Sequence, residues 1–235
     1  MEINKIYNEP CLDTIKNMPD DFIHLTITSP PYNLGEKHHT SDNVFNSYDT
    51  YNDNLDENIY QDEQIKVLNE IYRATKDGGS LMYNHKNRIK NGLQITPYEW
   101  LLKTKWTIKQ ELVWQNGTPN MDKCRFYPST ERIYWLSKGI KTTFFNQTSS
   151  NDLIKDMPVG TSGEHKRAFP LKLAQRFIIC FPNSEIIYDP YMGSGTTAIA
   201  CIKEKRNYIG SEISKDYCEL ANIRIEREKS QLLLF

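Results

Sequence analysis

Two short stretches of the chain carry residue types and spacings that could do chemistry. Residues 186–212 read IIYDPYMGSGTTAIACIKEKRNYIGSE. The pattern is a strand, a glycine turn, a helix, a second strand and an acidic residue. Gly193 permits a sharp turn, and Gly195 lets a ligand approach the backbone. The helix that follows offers free amides and the positive end of its dipole. Glu212 closes the second strand, where a carboxylate can accept both hydroxyls of a ribose. The string also satisfies the G-x-G-x-x-A form of a dinucleotide site. Against NAD, only 23 residues follow Glu212, so a second βαβ half would have to come from earlier in the chain. Asp189-Pro190 before the turn is also atypical of NAD sites. An ordinary βα turn with a glycine is the plain alternative.

The second stretch is Ser29-Pro30-Pro31-Tyr32, directly after FIHLTIT at residues 22–28. The β-branched run reads as a buried strand. Ligand sites of parallel α/β sheets lie beyond the carboxyl ends of such strands. Two prolines lock the backbone there, so its carbonyls point in fixed directions. Ser29 adds a hydroxyl acceptor and Tyr32 a flat ring. Fixed acceptors beside a flat ring suit a planar base carrying an exocyclic amine. Taken alone, the tetrapeptide also reads as a proline turn with a packed tyrosine.

The elements that must position these residues alternate between strand and helix. Strand patterns cover 3–7, 22–28, 80–84, 107–114, 132–136, 185–188 and 207–210. Helical patterns cover 12–18, 61–76 (stopped by Gly78-Gly79), 96–103, 170–181, 196–205 and 215–228. Long polar loops are expected at 33–60 and 146–166, and a basic loop at 115–130. The alternation predicts an α/β fold with a mostly parallel sheet.

The 235-residue chain has a net charge of −1, which by itself disfavours a polycation-like nucleic-acid partner. That average hides a split. Residues 1–65 hold 13 acidic and 3 basic side chains, whereas residues 66–235 hold 17 acidic and 26 basic. Five scattered cysteines, none in a C-x-x-C pair, disfavour a disulfide framework or a zinc site, and no metal is expected. The first residues lack the plan of a signal peptide, and no apolar run reaches the ~20 residues of a membrane span. A cytoplasmic protein without a membrane partner is expected.

In combination, TSPPYN at 28–33 and DPYMGSGTT at 189–197 resemble the amino-group DNA methyltransferases, which use S-adenosylmethionine to modify cytosine N4 or adenine N6. The catalytic motif precedes the cofactor motif, as in the β-group permutation of that family. The resemblance implies a Rossmann-like class I methyltransferase fold in circularly permuted order, with helices on both faces of a twisted sheet and a small target-recognition insertion. One methyltransferase domain over 1–235 is expected, with a catalytic half at 1–139, a variable recognition region at 140–164 and a cofactor half at 165–235. HKRAFP at 165–170 resembles the cofactor-side motif of the family. Glu9-Pro10 stand where the family often has Gly-Asp before the Cys-Leu of its N-terminal helix, a departure that touches the contact to the cofactor's adenine.

By that resemblance, Ser29, Pro30, Pro31 and Tyr32 form the catalytic motif. The Ser29 hydroxyl and the Pro30 carbonyl accept the two N–H bonds of the target amine, and Tyr32 stacks on a flipped base, a contact worth ~1–3 kcal/mol per base in single-strand binders. The cofactor falls to Cys11, Leu12, His165, Arg167, Ala168, Phe169, Asp189, Pro190, Tyr191, Gly193, Ser194, Gly195, Thr196 and Glu212. Transfer is a direct in-line displacement that depends on positioning and electrostatics. Ser29 in the first position and Phe169-Pro170 resemble the cytosine-N4 version; adenine N6 is the alternative. Lys86, Arg88, Lys90, Lys123 and Arg125 are expected to contact phosphates of double-stranded DNA. The acidic loop 36–60 reads as a lid near the base pocket. A homodimer and a cognate restriction enzyme are possible partners. RNA or another amine as substrate, and a non-catalytic nucleotide-binding subunit, are the remaining readings; the intact Ser29–Tyr32 motif stands against the last.

Overall fold

The computed structural model describes residues 1–35, 51–116, 126–155 and 170–232. The chain enters through β1 (Lys5–Tyr7) and α1 (Cys11–Lys16), then forms β2 (Ile23–Thr28). Next come α2 (Glu57–Ala74) and β3 (Thr75–His85). The Asp56 side chain caps α2 by accepting from Asn58 N–H at 2.9 Å, so this helix begins earlier than its apolar stripe alone predicts. The expected stop at Gly78-Gly79 is corrected. The helix passes directly into β3, and both glycines lie inside that strand. A Cβ on Gly79 would sit 2.6 Å from the Thr75 side chain, 2.8 Å from the Lys76 carbonyl and 2.9 Å from the His24 carbonyl of β2, so crowding inside the sheet, not a helix end, accounts for it.

After β3 the chain makes a hairpin, β4 (Arg88–Lys90) and β5 (Leu93–Ile95), through Asn91-Gly92, both at positive φ. Here α3 is a short turn, Tyr98–Leu101. The long strands β6 (Thr107–Gln115) and β7 (Thr130–Ser137) follow. A two-residue strand, β8 (Leu153–Ile154), lies within the stretch expected to be a loop. The remainder is α4 (Leu171–Cys180), β9 (Ile186–Asp189), α5 (Thr196–Lys203), β10 (Asn207–Ser211) and α6 (Lys215–Leu232).

The main sheet runs β1-β10-β9-β2-β3-β7-β6-β8. All pairings are parallel except those of β7, which is antiparallel to both neighbours. Alternate strand residues face two separate cores. Leu25, Ile27, Met82, Ile133 and Ile187 pack with α4 and α5. Leu81, Tyr83, Tyr134, Leu136 and Tyr188 pack with α1, α2 and α3. Helices therefore cover both faces, as expected.

From β2 the chain moves to β3 on one side, and from β9 it moves to β10 on the other. The boundary between β9 and β2 is thus a point where the winding reverses, and sheets of this kind bind ligands beyond the carboxyl ends of the strands at such a point. Asp189 ends β9, and Ser29 follows β2 at this boundary. The described cysteines Cys11, Cys180, Cys201 and Cys218 are buried free thiols. Among the described residues no helix is long and apolar enough to cross a membrane.

Candidate active site

Thr28, the last residue of β2, donates from Oγ1 to Asp189 Oδ1 at 2.9 Å. Thr197 Oγ1 donates to the other oxygen of Asp189 at 2.6 Å, and the Tyr191 N–H donates to Oδ1 at 3.0 Å. The carboxyl is buried, and burial pushes its pKa up to about 6 against the lowering effect of these three donors. Asp189 thereby fastens the strand end, the glycine turn, the first turn of α5 and the SPPY segment to one another.

The sharp turn expected at Gly193 is present, whereas the Cβ side of Gly195, expected to admit a ligand, faces α6. Gly193 and Gly195 hold φ of 52° and 86°, a region that glycine enters at no steric cost. A Cβ on Gly195 would lie 3.0 Å from the Ala221 side chain of α6. Ser194 is held by Arg224, whose Nη1 donates to Ser194 Oγ at 2.7 Å and also reaches the Ser194 carbonyl. Glu212, just beyond β10, accepts the Gly193 N–H at 2.8 Å and the Ser214 N–H at 2.8 Å. Burial raises its pKa, and these backbone donors oppose the rise. Cys11, at the start of α1, is buried against Tyr191, and desolvation pushes its thiol up to about 11. Leu12 packs beside it. Pro190 is buried, and Thr196 is the buried first residue of α5.

On the other side of the boundary, the SPPY segment meets residues that the sequence did not single out. The Tyr32 hydroxyl lies 2.7 Å from Ser29 Oγ and donates to Glu131 Oε2 at 3.0 Å. Asn84 Nδ2, near the end of β3, donates to Tyr32 at 2.8 Å and to Glu131 at 2.9 Å. The Pro31 carbonyl accepts from the Tyr60 hydroxyl of α2 at 2.8 Å. Tyr60 in turn lies 2.7 Å from His85 Nε2, and the ring of His85 sits 4.6 Å from that of Tyr32. Burial lowers the His85 pKa to about 3, so its ring is neutral at ordinary pH. Asn33 N–H donates to Asp53 at 2.7 Å, and the Asn33 amide pairs with the Leu55 backbone, so the chain returning from the polar stretch is tied to the residue after Tyr32.

Glu131, Asn84, Tyr60 and His85 were missed because each belongs to an element whose pattern reads as structure. A usable signal existed for two of them. Asn84 and His85 are polar residues directly after the apolar run Leu81–Tyr83, at the strand end where ligands bind.

The basic residues separate into two environments. Lys90 is exposed on the hairpin. Lys86 pairs with Glu131 at 3.1 Å, and its ammonium lies 5.8 Å from the Tyr32 ring centre. Arg88 is corrected: it is 5% exposed and forks onto Glu57 with bonds of 2.7 and 2.9 Å. A guanidinium buried in this way, over the Tyr60 ring at 4.8 Å, is spent within the fold and does not face phosphates. Lys123, Arg125, His165, Arg167, Ala168, Phe169 and most of the acidic loop 36–60 lie outside the described residues.

A family model for DNA methylases of the N6/N4 type matches residues 23–223. The chain belongs to this DNA methylase family. With the SPPY motif ahead of the glycine turn, this methylase is a β-group amino DNA methyltransferase. It is 28% identical over 264 residues to the type II methyltransferase M.ScaI of Streptomyces caespitosus, covering 97% of this chain and 83% of that one. It is 27% identical to the orphan methyltransferase M.BamHII of Bacillus amyloliquefaciens, covering 93% of each. Among solved structures, the PvuII cytosine-N4-specific DNA methyltransferase superposes with a TM-score of 0.78 at 18% identity, covering 96% of this methylase and 90% of that chain. A putative DNA modification methylase of Thermus thermophilus, complexed with S-adenosyl-L-methionine, superposes with a TM-score of 0.70 at 22% identity, covering 95% and 93%. These likenesses establish the Rossmann-like methyltransferase fold.

Proposed function

We propose that this methylase transfers a methyl group from S-adenosylmethionine to the exocyclic amine of a base flipped out of duplex DNA, with cytosine N4 as the acceptor. One observation carries the reading. The Thr28–Asp189 hydrogen bond sets the SPPY segment and the glycine turn side by side at the point where the sheet reverses its winding.

The residues present fit that cofactor. A carboxylate offers about four lone-pair positions, and two backbone N–H groups occupy one on each oxygen of Glu212. The remaining positions suit the two hydroxyls of a ribose. When bound, S-adenosylmethionine supplies a methyl group made electrophilic by its sulfonium. The protein's task is then to hold the amine. An exocyclic amine is a poor nucleophile because its lone pair is delocalised into the ring. Accepting its N–H bonds at Ser29 Oγ and the Pro30 carbonyl favours a pyramidal nitrogen with its lone pair free. Tyr32 offers a face on which the base stacks. Asp189, Gly193, Gly195 and Thr196 are assigned to the methionine and ribose side, with Cys11, Leu12, Pro190, Tyr191 and Ser194 around them, and His165 to Phe169 are assigned to the methionine end by their motif alone.

Serine in the first motif position favours cytosine N4 over adenine N6. The catalytic and cofactor halves are assigned to 1–139 and 165–235, and target recognition to 140–164. In that last segment, Phe145 and Ile140 are exposed, and β8 brings the chain back beside Trp114 at the edge that holds the site. Association with a second copy and pairing with a cognate restriction enzyme belong to the same reading.

Incubation with DNA and methyl-labelled S-adenosylmethionine, followed by mass spectrometry of the nucleosides, tests the proposal. N4-methylcytosine is expected. N6-methyladenine would move the reading to the other base, and unmodified DNA of varied sequence would defeat it. Ser29→Ala is expected to lower turnover by about 10²-fold with cofactor affinity unchanged.

A further inference from the structure

Glu131 is the second residue of β7, is 5% exposed, and collects four donors from three places in the fold. Its Oε2 accepts from the Tyr32 hydroxyl at 3.0 Å and from Asn84 Nδ2 at 2.9 Å. Its Oε1 accepts from Asn116 Nδ2 at 2.9 Å and pairs with Lys86 Nζ at 3.1 Å.

A carboxylate has no proton to give, so each of these partners must donate to it. That fixes the direction of the whole chain of bonds. Tyr32 has one hydroxyl proton, and it is committed to Glu131. The phenolic oxygen must therefore accept from Ser29 Oγ–H at 2.7 Å. Ser29 has one proton as well, now committed to Tyr32. What its oxygen can still offer is lone pairs, toward one of which Asn84 Nδ2 points at 3.4 Å. The same carboxylate orients Asn84, because the reversed amide would set Oδ1 against Glu131 Oε2.

We propose that Glu131 is a positioning residue for methyl transfer: acting through Tyr32, it holds Ser29 Oγ as a hydrogen-bond acceptor toward the target amine. This rests on the methyltransferase reading of the site. A hydroxyl free to rotate could instead turn its proton toward the amine nitrogen and occupy the lone pair that must attack. Burying a carboxylate among donors and pointing a tyrosine proton at it removes that choice before substrate arrives, which is preorganisation of the kind that lowers barriers.

The test compares wild type, Glu131→Gln, Tyr32→Phe and the double variant, with kcat measured on DNA and cofactor affinity by calorimetry. Wild-type turnover is established first. If wild type transfers no methyl group, the reading of the site fails, and this inference falls with it. With wild type active, each single variant is expected to lower kcat by about 10- to 100-fold while cofactor affinity changes less than about two-fold. Tyr32→Phe keeps the ring on which a base would stack and removes only the hydroxyl. Because Glu131 acts through that hydroxyl, the double variant is expected to be no slower than the slower single. Multiplying effects, a single variant with wild-type kcat, or a loss of cofactor affinity matching the loss in kcat would overturn the inference. Should Glu131→Gln fail to fold in a thermal melt, Tyr32→Phe decides alone: wild-type kcat in that variant rejects the role, and lowered kcat with unchanged cofactor affinity supports it.

Discussion

Thr28 Oγ1 and Asp189 Oδ1 lie 2.9 Å apart across 161 residues of sequence, so the SPPY side and the glycine-turn side of the site share one buried carboxyl. That carboxyl has a pH signature. Burial raises its pKa to about 6 from the unfolded value of 3.8. The fold therefore favours the protonated form, and the stability gained from it is complete below about pH 4 and lost as pH rises through about 6. The difference corresponds to about 3 kcal/mol. Asp189→Asn carries no such titration. Urea unfolding of both proteins between pH 4 and 8 is expected to show the asparagine variant gaining on wild type as pH rises, by up to that amount. A gap independent of pH would mean that Asp189 ionises as it does in the unfolded chain.

Two glycines with nearly the same backbone angle separate strain from crowding. Gly195 and Gly92 hold φ of 86° and 77°. A Cβ on Gly195 would meet Ala221 at 3.0 Å, whereas one on Gly92 would meet nothing within 4 Å. Gly92→Ala is expected to cost about 1 kcal/mol, the strain of the left-handed conformation alone. Gly195→Ala adds a clash with α6 and is expected to cost about 2–4 kcal/mol. Paired denaturation curves read the difference directly. Equal losses would show that α6 yields without resistance.

Glu212 has one job inside the protein and another assigned to it toward the cofactor. Its two oxygens already hold the Gly193 and Ser214 amides at 2.8 Å. Replacing it with glutamine keeps an acceptor for one amide and loses the charge and part of the capacity for ribose hydroxyls. Calorimetry with S-adenosylmethionine is expected to show affinity reduced by roughly 10- to 100-fold, about 1.4–2.8 kcal/mol. Circular dichroism is expected to stay that of wild type. Affinity within two-fold of wild type would remove Glu212 from the cofactor site.

The parts of this architecture written in local patterns were legible in the sequence. The β-branched run in FIHLTIT and the stripes of the helices follow from what each element buries, and the two motifs declare themselves by residues that ordinary strands and helices avoid. The parts set by distant contacts were not. Gly79 reads as a helix stop because its constraint is crowding inside the sheet, against Thr75 and Lys76 of its own strand and the His24 carbonyl of β2, and only the folded sheet brings these together. Glu131 lies 99 residues from Tyr32 and opens a strand that packs on both faces, so nothing nearby marks it as polar machinery. Arg88 shows the same limit from the other direction, because spacing grouped it with Lys86 and Lys90 while the fold brought Glu57 and two aromatic rings to it.

That grouping yields a prediction that divides stability from DNA binding. Arg88 is buried and doubly bonded to Glu57, which is 17% exposed at its side chain. Arg88→Met leaves that carboxylate without its partner and is expected to cost about 3–5 kcal/mol of stability. A Glu57→Gln change in the same background should recover part of the loss, because the orphaned charge is what costs most. Lys90 is exposed on the hairpin, and Lys90→Ala is expected to leave stability within about 0.5 kcal/mol of wild type. If Lys90 meets a phosphate, its removal lowers the slope of log affinity against log salt by about 1 and weakens binding to all DNA sequences alike. Arg88→Met, measured at a temperature where it remains folded, is expected to keep the wild-type slope. A reduced slope for Arg88→Met would mean that the guanidinium leaves Glu57 when DNA binds, and the ion pair would then be a latch and not a fixed fastening.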